Sequence, residues 1–180
     1  MITTDSVAEK LCLACGLCCD GALFKDVELQ PGDDAARLLA LGLPLSHGES
    51  ALGHRPTKFP QPCAALGADC RCRVYADRPL RCRQFECALF KTVLAGQVTT
   101  EAALRTIRTA RQRAANVRLL LRALGDTEEQ AALSLRFRRL NKRIEAGTDD
   151  ETANTFAELT LALHDLNLFL RREFLPDPAD

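Results

Sequence analysis

Residues 100–124 read Thr100-Glu101-Ala102-Ala103-Leu104-Arg105-Thr106-Ile107-Arg108-Thr109-Ala110-Arg111-Gln112-Arg113-Ala114-Ala115-Asn116-Val117-Arg118-Leu119-Leu120-Leu121-Arg122-Ala123-Leu124. Leu104, Ile107, Ala110, Ala114, Val117, Leu121 and Leu124 recur at steps of three or four, the spacing of one helix face. The stretch predicts a helix from about residue 100 to residue 124, ended by Gly125. Beyond it, Thr127-Glu128-Glu129-Gln130 matches a capping box and predicts a second helix with the stripe Leu133, Phe137, Leu140 and Ile144, ended by Gly147. Thr148-Asp149-Asp150-Glu151 matches another. It predicts a third helix, with Phe156, Leu159, Leu163, Leu166 and Leu170 on its main face. Leu161 and Leu168 form a second stripe on that helix, which implies burial on two sides.

Toward the N-terminus the composition changes. Residues 1–90 hold most of the Pro and Gly, a punctuation that leaves room only for short elements and loops. One short helix is predicted over 35–41, capped by Asp33 or Asp34 and ended by Gly42, with a loop from Leu43 to Pro62. All nine cysteines lie between Cys12 and Cys87, and none follows. The fold class expected is mainly α. An irregular cysteine-rich metal-binding lobe over residues 1–95 is followed by a three-helix C-terminal portion over 96–180 packed against it.

Length and composition bound the function. A chain of 180 residues is of single-domain size, and 47% hydrophobic with 27% charged residues is globular rather than disordered. Lys plus Arg and Asp plus Glu are 24 each, so no whole-molecule field attracts nucleic acid or an anionic membrane. Nucleic acid is not expected, since aromatic interleaving for base stacking is also lacking. Charge is nevertheless segregated: residues 101–143 carry 11 basic and 4 acidic groups, residues 144–180 carry 2 and 9. Neighbouring helices of opposite sign would cancel one another. The sharper alternative has Arg105, Arg108, Arg111, Arg118 and Arg122 facing an acidic partner or nucleic acid, and any protein partner is expected at the helical half. The first residues show no secretory pattern, and the most apolar run, Leu159 to Leu170, is broken by His164, Asp165 and Asn167. The expectation is a cytoplasmic protein with no membrane partner.

In that reducing compartment, closely spaced cysteines read as metal or redox chemistry rather than as a disulfide framework. The first group is Cys12-Leu13-Ala14-Cys15-Gly16-Leu17-Cys18-Cys19, or C-x2-C-x2-C-C. Two-residue gaps let thiolates turn toward one centre in a tight loop, and Gly16 supplies the backbone freedom. The second group is Cys63, Cys70, Cys72, Cys82 and Cys87, and either group alone offers about four ligands.

These residues resemble a known family. C-x2-C-x2-C-C, then Pro62-Cys63-Ala64-Ala65-Leu66, then Cys72-Arg73-Val74-Tyr75-Ala76-Asp77-Arg78-Pro79-Leu80-Arg81-Cys82-Arg83-Gln84-Phe85-Glu86-Cys87 is similar to the CxxCxxCC cysteine-cluster family of zinc- or iron-chelating domains, which includes relatives of flagellin lysine N-methylase. The resemblance covers about residues 12–90. It implies metal chelation by Cys12, Cys15, Cys18, Cys19, Cys63, Cys72, Cys82 and Cys87, and leaves Cys70 as a spare thiol or an alternative ligand.

Thiolate-only coordination selects zinc or an iron–sulfur cluster. The C-x2-C-x2-C run favours a [4Fe–4S] cluster, with zinc as the alternative. Arg78 and Arg83 are expected to stabilise the anionic centre from behind its ligands, and Tyr75 and Phe85 to pack beneath it. His47, His54 and His164 stand alone, with His54 the one reserve ligand. Two function classes stay open: a metal-stabilised module with a redox role or a protein partner, and an enzyme of the protein-lysine N-methylase type using the metal centre. No catalytic residue is identifiable from spacing.

Overall fold

The computed structural model describes residues 4–48, 55–147 and 149–175. Its elements run α1 (Thr4–Cys15), β1 (Asp26–Glu28), α2 (Ala35–Ala40), β2 (Ser46–His47), β3 (Thr57–Pro60), a 3-10 turn (Tyr75–Asp77), α3 (Leu80–Gln84), α4 (Ala88–Leu94), α5 (Thr100–Ala123), α6 (Leu133–Glu145) and α7 (Asp150–Phe174). The fold is mainly α, as expected. Two compact units are formed: a helical unit of Met1–Cys15, Glu86–Glu129 and Leu133–Asp180, and an irregular unit of Gly16–Phe85 with Gln130–Ala132. Among the described residues no helix is long and apolar enough to cross a membrane.

In the helical unit α5 packs chiefly on α7, α1 on α5, and α4 against α1, α5 and α7. Thr99 caps α5, its hydroxyl accepting the Ala102 N–H. The buried stripe of α5 is Ala103, Ile107, Ala110, Ala114, Val117 and Leu121, and that of α7 is Leu159, Leu163, Leu166, Leu170 and Phe174. Alanines at three of the α5 positions let neighbouring helices approach closely. The helix α1 was not expected. Its described buried side chains are Val7 and Leu11, too short a stripe to announce a helix, and its last carbonyls, of Ala14 and Cys15, accept hydrogen bonds from Arg111 on α5.

Three expectations are corrected here. The Thr127 capping box does not open α6, which starts at Leu133. Its acidic side chains are engaged elsewhere, Glu128 with Arg139 and Glu129 with Arg122, so neither reaches back to a helix start. The α6 stripe is rotated: Leu133, Arg136 and Leu140 are buried, while Phe137 is half-buried and stacks on Phe156 at 5.5 Å. Arg136 can be buried because its Nε donates to Asp126 at 2.6 Å. On α7 the second stripe is open to solvent, with Leu161 67% and Leu168 54% exposed. The cap of that helix is Asp149, which accepts the Thr152 N–H at 2.8 Å; Thr148 lies outside the described residues.

The irregular unit is built on an antiparallel sheet ordered β1-β3-β2, with Val27 opposite Phe59 and His47 opposite Thr57, so the stretch from Leu43 to Pro62 expected to be a loop supplies two strands, whose pairing partner β1 lies outside it. Phe59, Leu38, Leu43, Ala65 and Val74 form its apolar cluster. The short helix α2 forms as the sequence predicts, with Asp34 as its cap, accepting the Arg37 N–H at 2.8 Å.

Candidate metal centre

The site begins where α1 stops. Gly16 adopts φ +68°, the left-handed conformation that glycine reaches without steric cost. Its carbonyl accepts the N–H groups of Cys19 at 2.9 Å and Asp20 at 3.0 Å, closing a tight turn. That turn brings the Cys18 and Cys19 sulfurs to 3.6 Å. A Cβ at position 16 would stand 3.0 Å from the Cys70 Sγ, so the two motifs meet at this glycine. Cys70 is itself at φ +62°.

The second group is tied to the first through the backbone: the Cys63 N–H donates to the Cys19 carbonyl at 2.7 Å. Cys72 forms an isolated bridge with Leu66, and the Arg73 N–H donates to the Ala65 carbonyl at 2.8 Å. Cys82 sits on α3, whose first N–H, of Leu80, is accepted by Asp33 at 2.8 Å. The other carboxylate oxygen of Asp33 accepts the Gln30 N–H. Cys63, Cys72 and Cys82 are all half-buried against the apolar cluster around Phe59.

These thiols act on one another's ionisation. A hydrogen bond between the adjacent pair lowers the Cys18 pKa against burial and raises that of Cys19, which burial and the charges of Cys18, Cys63 and Cys82 raise further. Burial, with Cys72 and Cys18 adding, pushes the Cys63 thiol up. Burial also pushes Cys82 up to about 12, reinforced by Cys63, Cys18 and Cys72 and opposed by Arg78. Crowded thiols that disfavour one another's charge are what a dication would relieve, and soft sulfur donors suit zinc or iron.

The eight cysteines expected as ligands divide between the units. Cys18, Cys19, Cys63, Cys72 and Cys82 belong to the irregular unit, and Cys12, Cys15 and Cys87 to the helical one. Cys12 and Cys15 lie on α1, exposed and half-buried, and Cys87 precedes α4 as its cap residue. None of the nine cysteines forms a disulfide. Among the described residues no three Cys, His, Asp or Glu side chains already stand in metal-holding geometry, so the thiols are gathered but not closed on a point.

Arg78 is half-buried, and its charge favours the thiolates of Cys18 and Cys82, whereas Arg83 is exposed on α3. Tyr75 does not pack beneath the site. It is 65% exposed, with the Arg78 guanidinium 3.7 Å from its ring centre. Phe85 packs edge-on against Phe24 at 5.0 Å. His47 and His164 are exposed, and His54 lies outside the described residues. Sequence reading missed Asp33, whose contact with Leu80 crosses 47 positions, and the Gly16–Cys70 contact. The glycine between Cys15 and Leu17 was the available signal for the latter.

Among known protein families, residues 11–109 match the model of the CxxCxxCC family, described as "Putative zinc- or iron-chelating domain". No curated protein and no solved structure matches the chain, so the kinship with flagellin lysine N-methylase has no support from either comparison.

Proposed function

The chain belongs to the CxxCxxCC family, and on that premise we propose that it binds zinc, a [4Fe–4S] cluster or both through Cys12, Cys15, Cys18, Cys19, Cys63, Cys72, Cys82 and Cys87. The observation that supports this reading is the placing of six half-buried thiols in the irregular unit, five of them expected ligands and none in a disulfide. The bound metal supplies Lewis acidity or, as a cluster, one-electron chemistry. The chain's own residues orient and tune the donors. Gly16 turns Cys18 and Cys19 toward each other, Asp33 fixes the start of the helix that carries Cys82, and Arg78 and Arg83 offset the negative charge of the thiolates. Because a metal bound only by the folded chain stabilises it, the centre holds the irregular unit together. The helical half would then present the partner surface, inside the cytoplasm.

The test is metal and acid-labile sulfide analysis, with a visible absorption spectrum, on protein purified anaerobically. Stoichiometric zinc in colourless protein supports a zinc centre, and iron with sulfide in brown protein supports a cluster. Protein that takes up neither after supplementation with both metals would sink the reading.

A further inference from the structure

The outer face of α7 carries large apolar side chains that the helical unit leaves open. Leu159, Leu163, Leu166 and Leu170 are buried, while Leu161 is 67% and Leu168 54% exposed on the opposite side of the helix. Those two leucines stand one heptad apart and so share one line, which exposed Ala157 extends and exposed His164 interrupts. From Ala157 through Leu161 and His164 to Leu168 the steps are four, three and four, the spacing of the seam in a helix pair.

We propose that this face is the interface of a homodimer, in which α7 packs antiparallel on α7 of a second copy about a two-fold axis near His164 and Asp165. The inference concerns the helical unit alone and does not depend on the metal-binding function proposed above. In the dimer α7 gains the burial on a second side that its two stripes imply.

Charge selects the occupant and its direction. The helix is acidic toward its N-terminal end, with Asp150, Glu151 and Glu158, and basic toward its C-terminal end, with Arg171 and Arg172, all five exposed. A parallel pair would set like charges side by side. An antiparallel pair sets each end against its opposite and opposes the helix dipoles as well. A second copy carries the same leucine spacing and, read in reverse, the complementary charge order, which no unrelated helix need have.

The register follows from the symmetry, since a two-fold contact in which one residue meets another is repeated with the roles exchanged. Laying Leu161 on Leu168 of the second copy brings Glu158 within one position of Arg172 of the second copy. Positions 158, 165 and 172 recur one heptad apart and form one flank of the seam, so both Glu158–Arg172 pairs close on the same side. The Arg172 side chain is 71% exposed and holds Glu173 at 2.7 Å, an exposed pair that contributes little, and its guanidinium has further N–H donors for a second carboxylate. Near the axis Asp165 meets its own copy. Arg113 offsets that repulsion, because it lines the same groove as Asp165 and its guanidinium donates to the Asp165 backbone carbonyl at 3.2 Å.

The experiment is sedimentation equilibrium of the full chain over a concentration series, with a reductant present to exclude dimers linked through cysteines. A reversible monomer–dimer equilibrium is expected. Leu161→Glu and Leu168→Glu lie opposite the core, and each should raise the dissociation constant at least ~tenfold with unchanged far-UV circular dichroism. Glu158→Arg and Arg172→Glu should each raise it about threefold or more. The double variant Glu158→Arg/Arg172→Glu should return it to within about twofold of the unaltered chain. Weakening by each single change and recovery in the double is specific to the antiparallel pair, because in a parallel pair position 158 meets only 158. A chain that stays monomeric throughout the series overturns the proposal, as does a dimer indifferent to both leucine variants. A dimer weakened by the leucine variants but not by the charge variants overturns the antiparallel register.

Discussion

Position 16 admits no side chain for two separable reasons. The residue is at φ +68°, which costs a non-glycine roughly 1–2 kcal/mol, and its Cβ would meet the Cys70 sulfur at 3.0 Å. Gly16→Ala is therefore expected to destabilise the metal-free protein by at least that amount in urea unfolding. Adding Cys70→Ala should recover the contact part of the loss and leave the backbone part. A neutral Gly16→Ala would mean that the turn bringing Cys18 beside Cys19 does not need the left-handed conformation. The raised thiols set the pH response. Cys19, Cys63 and Cys82 are pushed up, so at neutral pH each holds its proton in the metal-free protein and must release it when metal binds. Zinc affinity should thus fall as pH falls, on the order of tenfold per pH unit for each proton displaced. Competition titrations at pH 6, 7 and 8 measure it, and a flat profile would show thiols already ionised. The spacing made the individual cysteines legible as ligands. It could not show which sulfurs meet, because the Cys63 to Cys19 hydrogen bond joins residues 44 positions apart.

Among the elements, α5 and α7 were legible because each carries five or more buried apolar residues in register, a signal that later packing only confirms. The start of α6 was not, because Glu128 and Glu129 satisfy arginines on neighbouring helices instead of a capping box. The same connection holds a buried charge that sequence could not distinguish from a solvated one. Arg136 is 2% and Asp126 7% exposed at the side chain. Asp126→Ala would leave the guanidinium buried and unpaired, and should cost about 3–5 kcal/mol in chemical denaturation. Replacing both partners, as Asp126→Leu with Arg136→Met, should restore most of it. The helix α3 depends on a contact of the same long-range kind. Its first N–H is satisfied by Asp33, and a charge-assisted hydrogen bond of this sort contributes about 1.5–3 kcal/mol. Asp33→Ala should lower stability by that order and weaken metal binding through Cys82, which is read by repeating the zinc titration on the variant. An unchanged zinc affinity would show that the helix start does not position the thiol.

At the scale of the whole molecule the basic α5 packs on the acidic α7 within the helical unit, where the Arg113 guanidinium donates to the backbone carbonyl of Asp165 at 3.2 Å. That much of the sequence reading needed only the signs and the order of the helices. The unequal cores of the two units lead further. The helical unit buries leucines or other large apolar side chains from α1, α4, α5, α6 and α7, whereas the irregular unit, spread over residues 16–85, centres on Phe59, Leu38, Leu43, Ala65 and Val74 with three cysteines against them. Each buried apolar side chain stabilises by roughly 1.5–3 kcal/mol, and ordering the backbone opposes by about 1–2 kcal/mol per residue. On the proposed metal-binding function, the smaller core leans more heavily on the metal. Removing the metal with a strong chelator should therefore leave far-UV circular dichroism largely intact while amide exchange accelerates by more than tenfold across residues 16–85 and little in α5 and α7. Restoring zinc or iron should reverse it. If exchange instead accelerates equally in α5 and α7, the helical unit draws its stability from the same metal and the two units unfold as one. If neither changes, the apolar cluster around Phe59 suffices and the thiols serve chemistry rather than folding.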